Sequence, residues 1–306
     1  MAKEAAHRVK RKRTTGELAF DILLYVFFGL FTIACIFPFY YIFINTISDN
    51  NLVATGRITL IPKGIHFENY LNVFKLDTIP KAAFISVART VIGTAFTIIA
   101  ASFPAYAFTR AEYWHRTLWY RFVVITMYFS AGVIPTFLTY RAIGIYDTFW
   151  VYILPCVVTP FNLILCKTYI ESLPASLEES AEIDGAGYLV RYFRLILPLS
   201  KPILATIAVF SAVGQWNNFM DTVLYVIDKN LFTLQYVLYD YLNRANAIIE
   251  ILRTDPTAMM DGVSQLLTET TVKYTICIVT VLPVLLVYPF FQRYFVKGIM
   301  IGAVKG

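Results

Sequence analysis

The chain has 306 residues, of which 58% are hydrophobic and 15% charged, a balance that excludes an ordinary water-soluble globular domain and points to an integral membrane protein. Its formal net charge of +6 does not argue for a nucleic-acid partner: the basic residues stand at the ends of apolar runs, not on a recognition motif. Cys35, Cys156, Cys166 and Cys277 all lie in apolar stretches with no CxxC, and read as reduced core residues.

Arg8, Lys10, Arg11, Lys12 and Arg13 crowd a basic tail over residues 1–19, which the positive-inside rule keeps in the cytosol. The apolar run that follows is too long for a signal-peptide core and lacks a convincing cleavage site. It predicts a first membrane span over residues 20–46. Residues 47–82 then form an extracellular loop with a short interfacial helix, and residues 83–109 a second span that ends against Arg110, Arg116 and Arg121 on the cytosolic side. A third span over 117–140 contains Gly132 and Pro135, and a fourth over 149–170 contains Pro155 and Pro160. Such breakers mark bends buried in protein, where neighbours satisfy the freed backbone groups.

Residues 172–202 are too polar for lipid and form a cytosolic loop. Pro174 suits a helix start, and Ser176 with Glu179 has capping-box spacing. Leu177, Ser180 and Ala181 share a face of that helix, with Glu178, Glu182 and Asp184 toward water, until Gly185-Ala186-Gly187 breaks it. A second short helix over 188–197 ends at Pro198 and Pro202. The pair makes a helix-turn-helix presenting a small-residue knob to a groove on a partner. A fifth span over 203–227, an outer segment over 228–271 and a sixth span over 272–294 complete the chain, leaving residues 296–306 as a cytosolic tail. In the outer segment Leu231, Leu234, Leu238, Tyr241 and Leu242 recur at helical spacing, and Asp255-Pro256 opens a further short helix reaching Thr270. The fold class expected is an all-α polytopic membrane protein with six transmembrane helices and both termini cytosolic.

No Walker A cradle, HExxH or GxSxG occurs, and His7, His66 and His115 lie far apart, so the chain is expected to hold no metal or cofactor and to catalyse nothing itself. In the fifth span Ser211, Gln215, Asn218 and Thr222 recur at spacings that put them on one helical face. Beside Trp216, these hydroxyls and amides suit sugar hydroxyls and ring faces; polar glue between helices is the other reading. Arg89 in the second span and Asp221 near the outer end of the fifth are intramembrane charges that seek partners. Arg89 is expected to pair with Asp221, or with a second membrane subunit, as part of an outer gate, or else to snorkel to headgroups.

Glu179-Ser180-Ala181, Asp184-Gly185-Ala186, Phe193 and Pro198 resemble the EAA loop of ABC importer permeases. Ser180 stands where many members have Ala, a small-for-small change. Trp216-Asn217-Asn218-Phe219, residues 127–140 and the ending Gly302-Ala303-Val304-Lys305-Gly306 extend the resemblance over nearly the whole chain, to the LplC-type oligosaccharide and polysaccharide branch related to maltose permease subunits. The resemblance implies the type I importer permease fold, with Glu179, Ser180, Ala181, Asp184, Gly185 and Ala186 docking into a cytosolic ABC ATPase dimer. It also implies a second homologous permease, an extracellular substrate-binding lipoprotein, and ATP with Mg on the ATPase alone. Lys305 and Gly306 would reach toward the ATPases. An importer of a non-sugar solute shares the loop, an ion-coupled transporter would need buried acidic coupling residues, and a membrane scaffold would not need the polar stripe.

Overall fold

The computed structural model describes residues 15–254, 272–287 and 289, and every regular element among them is helical. Helix α1, Thr15–Thr46, is apolar on all sides and largely exposed, as a lipid-facing span must be; only Ile44, Asn45 and Thr46 at its end are buried. Asn69 holds that end by donating to the Thr46 carbonyl at 2.9 Å. The loop that follows carries two short helices where one was expected: α2, Asn50–Ala54, capped by the Asp49 carboxylate on the Asn51 and Leu52 N–H groups, and α3, Glu68–Lys75.

The bundle is organised by α4, Thr78–Thr109, whose buried face steps through Ala82, Ser86, Arg89, Gly93, Thr97, Ala101 and Ala105. Spacings of three and four keep these residues, small except for Arg89, on one stripe, which lets neighbouring backbones come close in a setting where lipid supplies no hydrophobic drive. It begins five residues before the expected residue 83 because its first turn is polar and invisible to hydropathy. The third predicted span is not one helix. Instead α5, Arg116–Thr126, and α6, Val133–Ala142, flank a non-helical stretch over 127–132. Gly132 at φ +86° takes a left-handed turn cheaply, and Pro135 sits in the first turn of α6, where its missing N–H costs nothing.

The fourth span bends by 44° between Phe149–Val157, which includes α7, Leu154–Val157, and α8, Pro160–Glu171. Next come α9, Ala175–Ile183, and a helical run Tyr188–Leu199 made of α10, Tyr188–Arg191, a π turn at Tyr192–Ile196, and α11, Leu197–Leu199. The wide turn lets the run pass Pro198, beyond the expected end at residue 197. At Ser200 the chain turns by 76° into α12, Lys201–Asn217, with Pro202 in its first turn. The predicted fifth span also breaks: Asn218 is extended at ψ 107°, and α13, Met220–Tyr225, follows. After it come α14, Leu234–Thr254, and α15, Val272–Val287.

On α14, Leu234 and Val237 are buried, Leu238 and Tyr241 half-buried and Leu242 exposed; Leu231 belongs to the 3-10 turn Lys229–Leu231 ahead of it. Among the described residues α1 and α4 are long and apolar enough to cross a membrane, and two bent pairs meet the same test as broken spans, Phe149–Val157 with Pro160–Glu171 and Tyr188–Leu199 with Lys201–Asn217. The basic tail before Thr15, the helix expected from Asp255, the end of the sixth span beyond Pro289, and Lys305 with Gly306 lie outside the described residues.

Candidate coupling loop and substrate pathway

The loop between α8 and α12 keeps its predicted helix but not the predicted cap. Pro174 is the N-cap and Ser176 already lies inside α9, so no capping box forms; the Ser180 hydroxyl donates instead to the Ser176 carbonyl at 2.8 Å. The other end closes as a Schellman turn, with Ala186 N–H on the Ala181 carbonyl at 3.0 Å and Gly185 N–H on that of Glu182 at 2.9 Å. That geometry needs the left-handed φ of +79° at Gly185. Glu179, Ser180, Asp184 and Gly185 are exposed, and Ala181 and Ala186 half-buried. Beside them Ile183 projects with 87% exposure, an apolar tip on a polar loop that its spacing did not single out.

Glu178 corrects the expectation that it faces water. It is 8% exposed, accepts a hydrogen bond from the Tyr106 hydroxyl at 2.8 Å, and is ion-paired with Arg110, the C-cap residue of α4. Arg191 Nη1 lies 3.8 Å from the same carboxylate oxygen and 2.8 Å from Glu182, and the Arg110 guanidinium stacks over the Tyr106 ring. A buried carboxylate is stable only with such partners. Helical periodicity could not find them, because Tyr106 is 72 positions away.

Farther along α4, Arg89 is buried to 1% exposure. An isolated guanidinium there would be very costly, and each of its faces is met. Nε donates to Gln215 Oε1 at 3.0 Å, Nη1 to the Asn218 carbonyl at 2.9 Å and Nη2 to Asp221 Oδ2 at 2.8 Å, while the group stacks on the Tyr152 ring at 4.4 Å. The break after α12 explains one of these bonds. In a continuous helix the Asn218 carbonyl would serve Thr222 N–H, which here bonds Phe219 at 3.1 Å. Arg89 thus takes the carbonyl that the break releases, and it turns inward to Asp221 instead of snorkelling.

The predicted polar stripe divides at the same break. Ser211, Gln215 and Asn218 border a cleft of about 530 Å³ with Arg89, Asn162 and Phe161, a volume suited to a small ligand. Thr222 is buried away from that cleft, between the Tyr152 hydroxyl at 2.9 Å and the Thr233 hydroxyl at 3.2 Å. Trp216 points away from the cleft and donates to the Thr280 carbonyl of α15 at 3.0 Å. Gln215 is pinned further by its own bond to the Tyr152 carbonyl at 3.2 Å.

Gly93 explains how Gln215 fits: a Cβ at this position would stand 2.8 Å from its Nε2 and 2.9 Å from its Cδ. Because Gln215 is held on two sides, it cannot swing aside freely. Gly93→Ala should therefore cost about 1–3 kcal/mol, the usual price of overpacking, seen as a lower thermal unfolding midpoint in detergent. Gly214→Ala, where a Cβ meets nothing within 4 Å, should show no such loss.

Residues 93–301 match the family described as "Binding-protein-dependent transport system inner membrane component". The polygalacturonan/rhamnogalacturonan transport system permease protein YtcP of Bacillus subtilis is 38% identical, covering 94% of this chain and 98% of its own. Protein LplC of Bacillus subtilis is 36% identical, over 96% and 97%. A solved chain from a bacterial ABC transporter involved in the import of the acidic polysaccharide alginate superposes with a TM-score of 0.80 at 30% identity, over 93% of this chain and 99% of that one. The chain accordingly belongs to the binding-protein-dependent transport family: it is a multi-pass inner-membrane permease component of an ABC importer, with the helical fold of that class, and not an enzyme.

Proposed function

We propose that this permease passes an oligosaccharide through the membrane, driven by ATP that a separate cytosolic ATPase dimer hydrolyses with Mg. In this reading six spans place both termini in the cytosol, with extracellular loops over 47–82 and 228–271, and a second homologous permease completes the pathway. An extracellular lipoprotein delivers the sugar. The observation that carries the reading is the cleft beside Arg89, lined by the half-buried Thr159, Ser211 and Asn218 and by the exposed Phe161 ring, polar groups and a ring face of the kind sugars meet. The relatives named for polygalacturonan and alginate support the glycan class. The charge of Arg89 is already matched by Asp221, so the cleft does not itself demand an anionic sugar.

The test is uptake of tritiated oligogalacturonides, and of neutral oligosaccharides in parallel, by vesicles holding the complete complex. Accumulation of at least one class only with internal ATP is expected. Accumulation driven by a proton or sodium gradient without ATP would make the chain an ion-coupled transporter, and ATP-dependent uptake of amino acids or peptides alone would make it an importer of another solute.

A further inference from the structure

Docking explains how a partner holds α9 but not how displacement of α9 reaches the cleft. The link must leave the loop through α9 itself, and Glu178 is its inward-facing side chain. Its carboxylate gathers the Tyr106 hydroxyl and the Arg110 guanidinium, both from the last turn of α4, and approaches Arg191 of α10. Tyr106 is also braced by the ring of Tyr192, at 5.6 Å, whose hydroxyl bonds that of Ser102 on α4 at 2.7 Å. The same α4 carries Arg89 seventeen positions earlier, about 25 Å along the axis at the rise of an α-helix. One continuous helix, with Pro104 inside it, therefore has the coupling loop at one end and the cleft at the other.

We infer that Glu178 is a positioning residue, a latch that makes α9 and α4 move as one body, so that a pull on the coupling loop is delivered to the Arg89 cluster. Two features favour a latch over simple glue. Glu178 Oε1 holds both the Tyr106 hydroxyl and the Arg110 guanidinium, four residues apart at the end of α4, so α9 is tied to two points of that helix. It also sits one position from the exposed Glu179, so α9 presents its outer face to a partner while its inner face holds α4. The inference rests on the proposed ATPase docking.

The test uses the complete importer in nanodiscs with the four native cysteines replaced, spin labels at Ala175→Cys on α9 and Val91→Cys on α4, and pulsed distance measurements without nucleotide and after vanadate trapping. With Glu178 present, the interlabel distance should stay constant between the two states. In Glu178→Ala or Arg110→Ala it should change, while hydrolysis-coupled uptake falls on the order of tenfold, an ordinary coupling free energy. The double variant should be no worse than either single one, because both break the same link. Glu178→Gln, which keeps an acceptor for Tyr106, should fall between; it serves as the readout where the Ala variant does not assemble. A constant distance and full uptake in these variants would overturn the latch. If the unsubstituted complex binds no ATPase, the docking reading fails as well, and the two failures are told apart by that control.

Discussion

Asp221→Ala should be among the most damaging single substitutions in the described part of the chain. It leaves Arg89 at 1% exposure with no counter-charge, and breaking one side of a buried pair costs about 3–5 kcal/mol. For the charge left behind, the reverse change is milder by the same reasoning. Asp221 is partly exposed, at 20%, and also receives Asn218 Nδ2 at 2.8 Å, so water and an amide can serve it when Arg89 is removed. Unfolding midpoints of the purified subunit in detergent should fall for Asp221→Ala, and also for Arg89→Ala, which strips Gln215 Oε1 and the Asn218 carbonyl of their donor, with the double variant recovering part of the Asp221→Ala loss. Equal midpoints for Asp221→Ala and the unsubstituted protein would mean that the pair is incidental. Arg89→Gln separates stability from gating: with assembly intact, unchanged transport and unchanged basal ATP hydrolysis would rule out a gate at this position.

The second large effect is expected at the coupling loop, where it should fall on transport and spare insertion. Gly185→Val puts a β-branched residue at φ +79°, a conformation that costs an L residue roughly 1–2 kcal/mol and that Val tolerates poorly. Nothing stands within 4 Å of its Cβ position, so the loss is backbone strain in the Schellman turn and not a clash. Gly185→Asn should retain more uptake than Gly185→Val, because Asn accepts the left-handed region. Glu179→Lys reverses an exposed charge on the face proposed to meet the ATPase, and should abolish uptake while membrane levels stay normal. Co-purification of fully active ATPase with Glu179→Lys, together with normal uptake, would contradict the docking assignment.

What could be read before the fold was known divides along the range of each signal. Hydropathy and charge place α1 and α4 because each is a single apolar run, and Gly185 announces the end of α9 because only glycine is cheap at that φ. Gly132 and Pro135 announced the bend in the third span, whereas the break at Asn218 was not legible, since nothing in Gln215-Trp216-Asn217-Asn218 says that Arg89 will claim the Asn218 carbonyl. That is why Ser211, Gln215, Asn218 and Thr222 read as one stripe when the break sends Thr222 to Tyr152 and Thr233 instead. Arg89 and Asp221 could be matched because intramembrane charges are few and must pair. Glu178 could not, since an acidic residue in a polar loop looks solvated until Tyr106 and Arg110 are brought to it from α4.

The most direct test of the whole account is the side and neighbour of Ala181. With the native cysteines replaced and Ala181→Cys introduced, an impermeant maleimide should react in inside-out vesicles and not in intact spheroplasts, and an oxidant should cross-link the site to a cysteine in the ATPase groove. Labelling of Ala181→Cys from the outside of spheroplasts would contradict the account.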